Sequence, residues 1–214
     1  MFHRLIPLLF LGVGVFLLVQ VAMPFVSFKI WETVVYPEQN VALISPSPDK
    51  KNILGVSIEK KDNFPVIASN LKRISPAPYG SFTISIPSIN LSGAKVLVDD
   101  NDFDTNLSHL PGSTLPGEKG NVFISGHSSL PQFFKLGNYK AIFSKLPDIK
   151  KGAVINIEAG GQKYEYVVKG LSIVDPKEVS VINSPNSVGR YLSLMTCVPP
   201  GLYLKRLVVF AELK

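Results

Sequence analysis

Cys197, the chain's one cysteine, closes the run L-S-L-M-T-C; His127 ends I-S-G-H and Arg206 sits in L-K-R-L-V-V. A thiolate attacks acyl carbon, an imidazole moves protons near neutral pH, and a guanidinium donates to an oxygen as it becomes an oxyanion. The three residue types together describe covalent acyl transfer. Singly, each has an ordinary structural reading. A lone cysteine at a strand end is commonly a small buried hydrophobe, a histidine after glycine a turn residue, and an arginine opening a strand a solvated ladder position. A free thiol is mostly protonated near neutral pH, so a nucleophilic Cys197 needs a cationic neighbour. Spacing alone does not bring His127 to it.

All three residues fall at the ends of predicted strands, where rigid scaffolds carry functional groups. From residue 81 onward, short β-rich runs alternate with Gly, Pro, Asn and Asp: FTISI (82–86), AKVLV (94–98), NVFIS (121–125) and AVINIE (153–158). KYEYVVKGLSIV (163–174), YLSLMT (191–196) and RLVVFAEL (206–213) follow, so seven or eight strands are expected. Gly160-Gly161 reads as a hairpin turn. A second hairpin, YLSLMT to RLVVFAEL through VPPGLYLK, sets Cys197 and Arg206 at the same end of neighbouring strands. Helical pattern is slight: two turns over 138–146 capped by Asn138, and one turn over 176–179. Many short strands with few helices predict an all-β domain, a closed barrel or a sandwich.

Residues 5–28 read LIPLLFLGVGVFLLVQVAMPFVSF, with only Gln20 and Ser27 polar, and span about 36 Å as a helix. That predicts a transmembrane anchor over 1–28. A cleaved signal peptide is the rival, but its apolar core would be unusually long and no A-x-A-like site follows. Arg4 favours a cytoplasmic N-terminus, and Lys29 weakens the bias. Residues 29–79 carry Pro37, Pro46, Pro48, Pro65, Pro76 and Pro78 with two lysine pairs, the composition of an extracytoplasmic tether; NILGVSI (52–58) could add one strand. The third region, 80–214, holds the strands.

The formal net charge is +6, but residues 80–214 carry 14 Lys/Arg against 11 Asp/Glu with no basic stripe, which argues against nucleic acid as a partner. One cysteine excludes an intrachain disulfide and a cysteine-based zinc site. Asp100, Asp102 and Asp104 alternate as in a calcium loop, but Thr105 stands where glycine is needed and Pro111 where the closing glutamate is needed, so a solvated loop is expected and no metal. His109 is expected to be structural or exposed.

The run from Leu110 to His127, L-P-G-S-T-L-P-G-E-K-G-N-V-F-I-S-G-H, resembles the segment that leads into the catalytic histidine of the sortases. S-L-M-T-C (193–197), with Arg206 nine residues on, resembles their T-L-x-T-C signature and strand-opening arginine. The similarity covers about residues 81–213, with Ser193 where the signature has threonine and a short Cys-to-Arg loop. It implies a closed eight-stranded sortase-type β-barrel with one or two short helices behind a transmembrane helix, and no cofactor. The implied activity is cysteine transpeptidation at the bacterial cell membrane. The implied partners are surface proteins with an LPxTG-like C-terminal signal, and an amine from a peptidoglycan precursor or a pilin lysine. In that scheme Cys197 attacks the carbonyl after the signal's threonine, His127 moves the amine proton, Arg206 steadies the oxyanion and Thr196 contacts the bound signal.

Two other classes compete. An L,D-transpeptidase also uses His and Cys, but has glycine before the cysteine and arginine two residues after, where this chain has Thr196 and Pro199; papain-like enzymes run Cys before His. A non-catalytic membrane-tethered β-domain that binds wall polymer is the third reading, since fold does not license function.

Overall fold

The computed structural model describes residues 2–36, 55–61, 64–73 and 75–214. Two compact units emerge, Met1–Glu38 and Gln39–Lys214. The first is helix α1 (Phe2–Ile30) followed by a π-helical turn, Trp31–Val35. The stretch Ile6–Val34 is long and apolar enough to cross a bilayer. Residues 37–54 of the expected tether lie outside the described residues, and with them residues 52–54 of the candidate extra strand. The rest of that candidate enters β1 (Val56–Lys61), which pairs with β2 (Phe64–Ser69) in a two-stranded hairpin apart from the barrel sheet.

Eight further strands close a barrel: β3 (Ser81–Ile86), β4 (Leu91–Leu97), β5 (Leu107–His109), β6 (Gly120–Ser125), β7 (Val154–Ala159), β8 (Gln162–Val174), β9 (Arg190–Val198) and β10 (Lys205–Leu213). Around the barrel they run β10-β8-β7-β3-β4-β5-β6-β9, with β4–β5 and β6–β9 parallel. Along β3 every second residue is buried, and Ile84, Ile86, Val96, Leu194, Leu207 and Val209 are fully buried parts of the apolar interior. Gly160 and Gly161 both have positive φ, 55° and 77°, as the two-residue turn between β7 and β8 demands.

The short helices turn out to be single 3₁₀ turns. Asn138 stands at the N-cap of the first, Tyr139–Ala141, but its side chain makes no capping bond and its amide donates to Phe133 O at 3.0 Å instead; the second is Leu146–Asp148. Phe143, Leu146 and Ile149 are fully buried and spaced by three, the period at which 3₁₀ side chains share a face, and Pro147 would interrupt an α-helix. The turn expected over 176–179 lies at Val179–Ile182, where Glu178 accepts from Ser180 N at 3.2 Å.

His109 is buried and structural. Asp99 N donates to its Nδ1 at 3.3 Å, so Nε2 carries the proton, 2.9 Å from Thr114 O and 3.0 Å from Ser113 Oγ. Burial pushes its pKa below the ordinary 6.5, and the nearby Arg73 guanidinium pushes the same way; the Thr114 carbonyl and the Asp99 carboxylate oppose. The unfolded chain therefore binds this proton at higher pH than the fold does. Its contribution to stability is complete above pH 6.5 and is lost as pH falls toward the folded-state value, at about 1.4 kcal/mol per pH unit. Thermal unfolding from pH 7.5 to 5 is expected to show that decline, and His109→Gln to flatten it.

Candidate active site

The register of β9 against β10 makes Arg206 the direct cross-strand partner of Cys197. Both open onto a cavity of about 230 Å³ that is also bordered by His127, Thr196, Phe103 and Asp104. Each of the four residues singled out in the sequence thus borders one space.

His127 reaches it through the parallel pairing of β6 with β9. Gly126 N donates to Met195 O at 3.1 Å, and Thr196 Oγ donates to Gly126 O at 2.8 Å, so the end of β6 is tied to β9 on both sides of the glycine. A Cβ at Gly126 would lie 2.5 Å from Leu107 Cδ2 and 2.7 Å from Phe143 Cδ2. The glycine serves close packing rather than freedom. Beyond it the backbone is pinned again: Phe143 N donates to His127 O at 3.0 Å, and Ser128 Oγ to Cys197 O at 2.6 Å. The ring lies 4.4 Å from the Phe103 centroid, and its Nε2 is 2.9 Å from Asp104 Oδ1.

Arg206 is only 3% exposed, unlike a solvated ladder residue. Its guanidinium donates to three carbonyls: Tyr203 O at 3.2 Å, Lys205 O at 3.1 Å and Pro65 O at 2.5 Å. Among the described residues no carboxylate lies within ion-pair distance of it. A buried cation held only by neutral carbonyls keeps its field directed at whatever enters the cavity.

The Cys197 thiol is pushed above its ordinary 9.0 by burial, and Arg206 pulls the other way. Burial wins, so the resting group is a thiol and the thiolate must form with substrate or a proton acceptor at hand. Tyr203, with φ 57°, also borders the cavity; burial and the neighbouring Cys197 raise its phenol pKa.

The sequence does not point to Tyr203, Phe103 or Asp104 as site residues, nor to β2, the partner of the strand expected over 52–58. Pro65, Val66 and Ile67 of the hairpin wall the cavity, with Ile67 buried in a cluster that includes Leu110, Phe123 and Met195. An isolated aromatic in the acidic run DDNDFDTN was the available signal, since Phe103 is buried there. Among the described residues no cluster of His, Cys, Asp and Glu is arranged to hold a metal ion.

A family model, the Sortase domain, matches residues 84–214. Sortase A of Streptococcus agalactiae is 30% identical over 115 residues, 52% of this chain and 44% of the relative. Sortase A of Bacillus anthracis is 30% identical over 135 residues, 61% and 58% respectively, so the chain spans about half the length of these curated relatives. Among solved structures, sortase A from Corynebacterium diphtheriae is similar at a TM-score of 0.54 and 28% identity, over 64% of this chain and 61% of that one. Sortase C-1 from Actinomyces oris is similar at 0.54 and 27%, over 62% and 73%. The family match runs from within β3 to the last residue of the chain and takes in the whole cavity wall contributed by β6, β9 and β10. The chain belongs to the sortase family.

Proposed function

We propose that this chain is a membrane-anchored cysteine transpeptidase that cleaves an LPxTG-like sorting signal and passes the protein to an amine of the cell envelope or pilus. The observation that carries this reading is the cross-strand pairing of Cys197 with Arg206 on a cavity that His127 shares. His127 takes the Cys197 proton, Sγ forms a bond to the carbonyl carbon after the signal's threonine, and Arg206 donates to the oxygen as charge develops. The carbon–nitrogen bond then breaks, and His127 gives a proton to the leaving amine. An incoming amine attacks the thioester, His127 takes its proton, and the carbon–sulfur bond breaks to return the thiolate. Thr196, its hydroxyl proton committed to Gly126 O, borders the bound signal with its remaining surface. Helix α1 anchors the chain, with the N-terminus cytoplasmic and the barrel outside.

The test is intact-mass spectrometry of the full chain in detergent with an LPxTG-type peptide. The expected result is an acyl adduct on Cys197 that an added amine removes. No adduct across a panel of signal variants, from folded protein with an alkylatable thiol, would overturn the reading.

Arg206 Nη2 donates to Pro65 O, so the hairpin is held against the guanidinium and walls the cavity of the thiol. A carboxylate introduced at Ile67, among apolar neighbours, is expected to undock the hairpin. Ile67→Asp should raise the rate of Cys197 alkylation about tenfold by increasing the population of open forms; an unchanged rate would mean the hairpin does not guard the thiol.

A further inference from the structure

The aspartates that mimic a calcium loop have another use. Asp102 N donates to Asp100 Oδ1 at 3.0 Å and Asp104 N to Asp102 Oδ1 at 3.2 Å, so two successive side chains fold the link between β4 and β5. Asn101 fastens the link further, its side chain exchanging hydrogen bonds of 3.0 Å with the backbone N–H and C=O of Ser69. The product of this folding is Phe103, buried against the His127 ring, and Asp104, whose Oδ1 meets Nε2 at 2.9 Å. An ionised carboxylate only accepts, so Nε2 carries the hydrogen and Nδ1 is left to exchange a proton.

Resting on the transpeptidase reading, we propose that Asp104 is the positioning residue of His127: it fixes the Nε2–H tautomer, leaves Nδ1 as the nitrogen that exchanges protons in the cavity, and stabilises the imidazolium formed there. Other charged or titratable groups facing the cavity are Cys197 from β9, Arg206 from β10, Tyr203 from their connecting turn and Lys140 from the Tyr139–Ala141 turn. Among the described residues lining the cavity Asp104 is the carboxylate, so its charge opposes Lys140 and Arg206 at the imidazole.

The reactive form of a thiol–imidazole pair is thiolate with imidazolium. When the thiol is the weaker acid of the two, that form is a minority whose share falls tenfold for each unit by which the imidazole's apparent value drops. Asp104→Asn keeps the shape and removes the charge. The acid limb of the kcat/KM profile for acylation by the signal peptide should then move to lower pH while the plateau falls about 10- to 100-fold, the two changes matching each other. KM should stay within about twofold, since Asp104 acts through His127, and Asp104→Glu should restore part of both changes. A lowered plateau with an unmoved limb would assign Asp104 a merely structural part and overturn the proposal, as would an unchanged profile.

A second readout does not depend on activity. Long-range nitrogen–proton correlation spectra of the wild-type chain at neutral pH should show His127 as the Nε2–H tautomer; the Nδ1–H tautomer would overturn the proposal. Wild-type protein that never acylates would sink the transpeptidase reading and leave the tautomer measurement to judge the Asp104 contact.

Discussion

Cys197→Ala is expected to abolish the acyl adduct, with a loss of at least about four orders of magnitude in turnover, and to leave the barrel folded. Removing a nucleophile leaves only binding and oxyanion donation, which together give a small residue of catalysis. The fold should tolerate the change because the side chain borders an open cavity rather than filling the interior. Its backbone contacts survive: the register with Arg206 and the hydrogen bond from Ser128 Oγ to Cys197 O involve no sulfur. Cys197→Ser should fail as well, since a hydroxyl beside the same guanidinium remains un-ionised at neutral pH. Intact mass with signal peptide, beside thermal unfolding of each variant, decides the matter. An adduct on the alanine variant would end the mechanism, and a binding module would be favoured if the serine variant kept its biological function intact.

The wild-type thiol adds a check on the electrostatics. Because burial raises its pKa above the ordinary 9.0, the alkylation rate should reach half its maximum at higher pH than for an exposed cysteine.

How far the site could be read from the chain depended on which contacts are local. Cys197 and Arg206 share one hairpin, and antiparallel register follows from a short turn between two β-rich runs. Their juxtaposition was therefore legible. The position of His127 depends on parallel β6–β9 pairing, with Thr196 and Gly126 seventy residues apart in sequence. No periodicity encodes that separation. Strand β5 was missed because it has three residues and pairs with β4 only at Val96↔Leu107 and Leu97↔Ser108, too short for alternation to register. The two helical turns expected over 138–146 differ for another reason: the buried Phe143, Leu146 and Ile149 follow a period of three rather than 3.6. Asp104 was read as solvated because a run of aspartates is usually a hydrated loop. What changes its meaning is Phe103, whose burial turns the link inward and carries the carboxylate to the imidazole.

Arg206→Lys is expected to lower kcat/KM by about 10²- to 10³-fold, the scale on which removal of an oxyanion donor acts. The side chain is buried and divides its donors among Pro65 O, Tyr203 O and Lys205 O, a fork geometry that orients the plane of the guanidinium. A lysine ammonium supplies the same charge from a single point and cannot hold the carbonyls of Tyr203 and Lys205 while donating to a substrate oxygen. Charge and geometry can then be separated. Arg206 lowers the Cys197 pKa against the effect of burial, so Arg206→Ala should push the midpoint of thiol alkylation to higher pH. Arg206→Lys should leave that midpoint close to wild type and still lose turnover. Near-normal acylation by the lysine variant would show that a positive charge near the thiol suffices and that the guanidinium fork has no part in holding the oxyanion. A lysine variant whose alkylation midpoint rises as far as that of the alanine variant would show instead that the ammonium turns away from the cavity, and its slow turnover would then reflect lost charge.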